Sequence, residues 1–196
     1  MRIDPNLQVV LASKSPRRSY LLEQAGIPFV VRTADTAEVY PPELDVLKVA
    51  PYLAELKAAG ALHLLENDNE VLLTADSVVI IDGTIYGKPA DRAAAVATLR
   101  KLSGSRHTVV TGCCLQDRHR RDTFAGITEV YFSELTDGEI DWYVDNCNPY
   151  DKAGSYGIQE WAGLAMIHRI EGTYPNVMGL PVDLVYKHLV AWSAGK

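Results

Sequence analysis

One carboxylate stands out for its setting. Asp76 lies in Val71-Leu72-Leu73-Thr74-Ala75-Asp76-Ser77-Val78-Val79-Ile80-Ile81, a run apolar enough for a strand buried on both faces. A carboxylate there is costly unless it is paired, stands at a strand end or binds a metal ion. Its chemical use is as a general base or a metal ligand in a cleft. A second group lies near the N-terminus, where Leu7 to Ala12 runs into Ser13-Lys14-Ser15-Pro16-Arg17-Arg18. Pro16 suits the first position of a helix, where its missing N–H would be unpaired anyway, and Ser15 is then the expected N-cap. Cations in a first helical turn oppose the helix dipole. Arg17 and Arg18 therefore point to an anion that joins the free N–H groups.

Other residues are weaker alone. Lys57 is one turn from Leu53 and borders the apolar stripe of a helix, a position from which most lysines simply snorkel. Lys88, in Gly87-Lys88-Pro89, belongs to no P-loop, because the Gly-x-x-x-x-Gly-Lys-Ser/Thr pattern is absent and Pro89 occupies the hydroxyl position. Taken singly it reads as a solvated side chain. Asp151-Lys152-Ala153-Gly154-Ser155-Tyr156-Gly157-Ile158-Gln159 is a glycine-rich loop. Glycines permit close backbone approach to a ligand, and Gln159 offers both donor and acceptor to a nucleobase edge. A plain surface turn has the same composition. The five histidines form no metal-ligand spacing.

The elements that must carry these residues alternate between helix and strand. Strands are expected over Leu7–Ala12, Phe29–Thr33 and Val71–Ile81, with Asp82-Gly83 turning the last into Thr84–Tyr86. Further strands are expected over His107–Leu115, Thr123–Phe132 and Leu164–Ile170. Helices are expected over Pro16–Ala25, over Glu43–Glu66 with a kink or restart at Pro51, and over Arg92–Leu102 capped by Asp91. Thr136 and Glu139 form a capping box that opens a helix to about Asn146, and Pro181 begins a last helix to about Trp192. Tyr150–Ala162 reads as a loop. The pattern is that of an α/β or α+β protein with a mixed sheet.

A length of 196 residues suits one domain over 1–196, with room for two lobes. A net charge of -6 argues against general nucleic-acid binding, so a local cationic pocket fits a small anion better than a polyanion. No apolar run is long enough to span a membrane, and the polar start from Met1 to Asn6 is unlike a signal peptide. Cys113, Cys114 and Cys147 are an odd set without zinc spacing. They suit a reducing cytoplasm, with Cys113 and Cys114 as core residues.

In this order the pieces resemble the Maf family of nucleotide pyrophosphatases. The matching stretches are Leu-Ala-Ser-Lys-Ser-Pro-Arg-Arg at 11–18, Leu-Ala-Glu-Leu-Lys-Ala at 53–58, Thr-Ala-Asp-Ser-Val-Val at 74–79 and Gly-Lys-Pro at 87–89. They continue with Leu-Arg-Lys-Leu-Ser-Gly at 99–104, the 151–159 loop and Asn-Val-Met-Gly-Leu-Pro at 176–181. The resemblance implies a mixed, twisted α/β sheet flanked by helices, with a deep cleft, similar to inosine triphosphate pyrophosphatases. It implies hydrolysis of nucleoside triphosphates to monophosphate and pyrophosphate with a divalent metal, magnesium or manganese. It carries Ser13, Arg17, Arg18, Glu38, Lys57, Asp76, Lys88 and Gln159 over as site residues. Asp76 would be the proton acceptor, Asp76 and Glu38 would hold the metal, and Lys57 and Lys88 would stabilise developing charge.

Ala-Asp-Ser around Asp76 and Tyr-Gly-Ile-Gln ending at Gln159 look like the branch that prefers dTTP and UTP. Arg17, Ser77 and Gln159 are linked there to base choice. Ser77 stands where that branch usually has Thr, which keeps the hydroxyl and loses a methyl. The alternatives are the 7-methylguanosine triphosphate branch and a non-catalytic, nucleotide-sensing regulator of cell division. A homodimer is compatible with the resemblance.

Overall fold

A computed structural model describes residues 3–195. Its strands are β1 (Gln8–Leu11), β2 (Phe29–Val31), β3 (Glu70–Ile81), β4 (Thr84–Tyr86), β5 (Arg106–Gln116), β6 (Arg121–Phe132) and β7 (Ile167–Glu171). Its helices are α1 (Pro16–Gln24), α2 (Val46–Ala61), α3 (Arg92–Leu102), α4 (Asp137–Cys147), α5 (Tyr174–Met178) and α6 (Val182–Ala194). The sheet has seven strands in the order β2-β1-β3-β5-β6-β7, with β4 paired to β3. β1 is parallel to both β2 and β3, whereas β4 and β7 pair antiparallel. The expected mixed sheet with helices is therefore present. β3 is apolar on both faces because both are covered: of its residues only Ser77 is more than slightly exposed.

Local signals explain most element ends. Asp91 accepts a bond from the Ala94 N–H at 2.8 Å and starts α3, and Thr136 and Glu139 form the reciprocal capping box of α4. Asp82 and Gly83 both have positive φ, +49° and +74°, which a two-residue hairpin between right-twisted strands requires.

Four expectations need correction. Ser15 occupies the N-cap of α1, but its side chain makes no capping bond. The Ser15 N–H instead donates to Ser13 Oγ. α2 is shorter than Glu43–Glu66. Asp45 caps it through the Leu47 N–H, it runs through Pro51 without restarting, and it tightens into a 3₁₀ turn over Leu62–Leu64. Pro51 is the sixth residue of the helix, so its missing N–H leaves the Leu47 carbonyl without its usual i→i−4 partner, yet the helix continues. The strand expected over Leu164–Ile170 begins only at Ile167, because Ala162–Met166 forms a π-helical turn. The loop at 150–162 contains short 3₁₀ turns over Pro149–Asp151 and Ala153–Ser155.

The chain divides into two compact units. The first comprises the chain up to Asp76, Thr111–Gly126 and the chain from Gly179 onward; the second comprises Ser77–Val110 and Ile127–Met178. In the first, α2 turns the fully buried Ala50, Ala54 and Ala58 and the nearly buried Ala61 inward. Gly112 on β5 lets it approach so closely that a Cβ there would lie 2.2 Å from the Pro51 nitrogen. In the second, Leu99, Leu102, Phe132, Ile140 and Tyr143 are among the largest fully buried side chains. Cys113 and Cys114 are buried free thiols and Cys147 is half-buried and free. No helix among the described residues is long and apolar enough to cross a membrane.

Candidate active site

In the first unit the site is built on β3, α2 and the β1–α1 turn. Asp76 is 8% exposed. Its cost in an apolar strand is met by an ion pair: Lys57, reaching from α2, donates to Asp76 Oδ1. The same ammonium lies 2.7 Å from Glu38 Oε1 on the preceding loop. Two carboxylates thus converge on one cation.

Ser13 and Arg18 are linked, with Arg18 donating to Ser13 Oγ at 3.2 Å and, through Nε, to the Gly179 carbonyl at 2.9 Å. Burial pulls the Arg18 guanidinium below its ordinary pKa, and the nearby Asp76 and Glu38 carboxylates partly oppose that shift while Arg17 adds to it. Ser13, Arg17, Arg18, Glu38, Lys57 and Asp76 are therefore brought together in this unit, within direct or electrostatic reach of one another.

The second unit carries Ser77, Lys88 and Gln159. Ser77 is half-buried on β3. Lys88 is exposed just after β4, and the neighbouring Gly87 carbonyl accepts from the Gly154 N–H at 3.2 Å, which ties this segment to the 151–159 loop. That loop is pinned internally. Lys152 is buried and pairs with Asp151 at 2.7 Å and with Glu160 at 2.9 Å. Tyr143 donates to Glu160 at 2.7 Å and accepts from the Gly157 N–H at 3.1 Å. Burial, with the bond to Glu160, pushes the Tyr143 phenol well above its ordinary pKa, so it stays a donor. Tyr156 Oη is 2.7 Å from His107 Nε2. Gln159 Oε1 is buried with no hydrogen-bond partner in the protein, an acceptor suited to an N–H of a ligand.

Sequence reading assigns no role to Tyr143 or Glu160 and none to Lys152 individually. Their pairing depends on contacts across the fold, and only the acid–lysine alternation in the loop hints at it.

No group of three or more His, Cys, Asp or Glu side chains gathers as a metal site among the described residues. Asp76 and Glu38 nevertheless supply hard oxygen donors facing a common cation, the Lys57 ammonium. Two carboxylates with substrate phosphates completing the shell is a usual arrangement for magnesium or manganese, so the residues fit such an ion.

The chain matches the family described as Maf-like protein over residues 8–192. It is 51% identical over 184 residues to a protein of Porphyromonas gingivalis named dTTP/UTP pyrophosphatase, a match covering 93% of this chain and 92% of that one. A Bacteroides fragilis protein of the same name is 44% identical over 183 residues, covering 93% of this chain and 94% of that one. Among solved structures, the Ham1 protein of Staphylococcus aureus is similar at a TM-score of 0.47 and 16% identity, over 66% of this chain and 72% of that chain. With the motifs in order from the first strand to the last helix and the family match spanning nearly all of it, this chain belongs to the Maf-like protein family.

Proposed function

We propose that this protein hydrolyses nucleoside triphosphates, dTTP and UTP foremost, to the monophosphate and pyrophosphate by attack of water on the α-phosphorus. The observation that carries the reading is the buried Asp76 paired to Lys57 beside the Arg18–Ser13 link. The names and identities of the relatives support the same reaction.

Asp76 orients and deprotonates the attacking water. Arg17 and Arg18, at the start of α1, bind phosphate oxygens, with Ser13 holding Arg18 in place. Lys57 and Lys88 stabilise charge that develops on the bridging and leaving oxygens. Gln159 and Ser77 read the base edge, the unpartnered Gln159 Oε1 accepting from a pyrimidine N–H. Magnesium or manganese would be held by Asp76, Glu38 and the substrate, and when bound it supplies phosphate neutralisation and polarisation of water. The protein works in the cytoplasm, as its unpaired thiols suit, on free nucleotides, away from membranes and nucleic acid, and as a homodimer.

The test is pyrophosphate release from a panel of triphosphates, with magnesium, with manganese and with neither. Metal-dependent release from dTTP and UTP is expected. Release confined to 7-methylguanosine triphosphate would reassign the substrate, and no release from any member of the panel would overturn hydrolysis. Asp76→Asn should keep the wild-type melting profile and lose roughly 10²-fold or more in turnover. Near-normal turnover in that variant would remove Asp76 as the base.

A further inference from the structure

The ion pair between Lys57 and Asp76 joins a helix to a strand, so its geometry depends on where α2 lies along β3. One buried bond joins the same two elements. Thr74 is fully buried, and its hydroxyl donates to the Ala54 carbonyl at 2.7 Å. Thr74 and Asp76 are two residues apart on β3 and so share a face. Ala54 and Lys57 are three apart on α2 and so are neighbours on the helix surface. The strand therefore holds the helix at two successive points, first Thr74 to Ala54 and then Asp76 to Lys57. Further back on the strand, Leu72 packs in one cluster with Ala61 and Leu65.

The alanine contacts alone specify this placement poorly. Ala54 and Ala58 meet Cys114 through small, smooth surfaces, and small side chains leave few ridges to lock a helix lengthwise. A directional bond does what those methyl groups cannot. Gly112 contributes from the other side of the contact by admitting the Ala50–Pro51 backbone at close range.

We infer that Thr74 is a positioning residue: its bond to the Ala54 carbonyl fixes the station of α2 on β3 at which Lys57 meets Asp76. The consequence for turnover rests on the function proposed above, whereas the placement of Lys57 does not. The Ala54 carbonyl lies within α2, whose own N–H groups remain available to it, so loss of the hydroxyl leaves a satisfied helix free to slide. Thr74→Val keeps the shape and removes the donor.

With UTP, kcat of Thr74→Val should fall about 10- to 100-fold with KM changed by no more than about twofold, as expected for a displaced catalytic group. Thr74→Ser, which keeps the hydroxyl, should restore most of kcat. In a Lys57→Ala background, Thr74→Val should cost less than about twofold more, because the group it positions is gone. The ¹⁵N resonance of the Lys57 ammonium, assigned by its loss in Lys57→Ala, should persist in Thr74→Ser and broaden or vanish in Thr74→Val.

Unchanged kcat and an unchanged resonance in Thr74→Val would overturn the inference. Failure of Thr74→Ser to rescue, or a full additional loss in the Lys57→Ala background, would also overturn it by assigning the effect to packing. Thr74→Ala gives the same readings if the valine variant does not fold. If the wild type releases no pyrophosphate, the functional proposal falls while the resonance still decides the placement of Lys57.

Discussion

Asp76 and His107 show two ways in which this protein keeps an ionisable group inside. Asp76 is paired with the Lys57 ammonium. His107 is 2% exposed, with Tyr156 on Nε2, no partner on Nδ1, and the Phe132 ring beside it. Burial holds its pKa down to about 4, so it is neutral in the folded protein. The unfolded chain takes up that proton below about pH 6.5 and the folded one does not until about pH 4. Stability should therefore fall as pH drops through this window, by up to roughly 3 kcal/mol from this one group. Chemical denaturation at pH 7 and pH 5 should show a smaller acid loss in His107→Gln than in the wild type. Equal losses would mean that His107 is already protonated in the folded state.

Much of the architecture was legible at the level of elements. The Asp82-Gly83 hairpin, the Asp91 cap and the Thr136/Glu139 box are encoded within a few residues, and their structures follow. The π-helical turn at Ala162–Met166 was not legible, because its apolar run has no period that separates it from a strand. The pairings Lys57–Glu38 and Lys152–Glu160 were likewise hidden, since long-range contact leaves no local pattern.

A further long-range contact closes the turn before β3. Glu70 is nearly buried, is bonded by Arg32 at 2.8 Å and accepts the N–H groups of Glu66 and Asn67. Arg32, with those backbone bonds, holds its pKa down to about 2. This stabilisation is full above the unfolded value near 4.5 and fades as pH falls toward 2. Glu70→Gln should cost about 2–3 kcal/mol at pH 7, with the difference from wild type disappearing near pH 2. A variant as stable as the wild type at neutral pH would show that the turn closes without the charge.

For the whole molecule, the two units are interleaved along the chain. The boundaries fall within β3, β5 and β6 and again after Met178, so neither unit is a continuous segment. A fragment ending at Asp76 would hold β1 and β2 and the apolar face of α2 but lack residues 111–126 and the last helix. It should remain unfolded by circular dichroism, and regain structure only when the rest of the chain is supplied. A cooperative melt of the isolated fragment would contradict that. In the first unit Arg17, Arg18 and Lys57 lie close together in a protein whose net charge is -6, so the positive field there is local and suited to a small anion.

The thiols on β5 carry a consequence of a different kind. Burial pushes Cys113 up to about 12 and Cys114 up to about 11, so at neutral pH almost none of either is thiolate, the form that peroxide and electrophiles attack. The two thiols of the strand behind α2 are thus poor nucleophiles at neutral pH. Cys147 is half-buried, so among the three cysteines it is the one oxidants reach most readily.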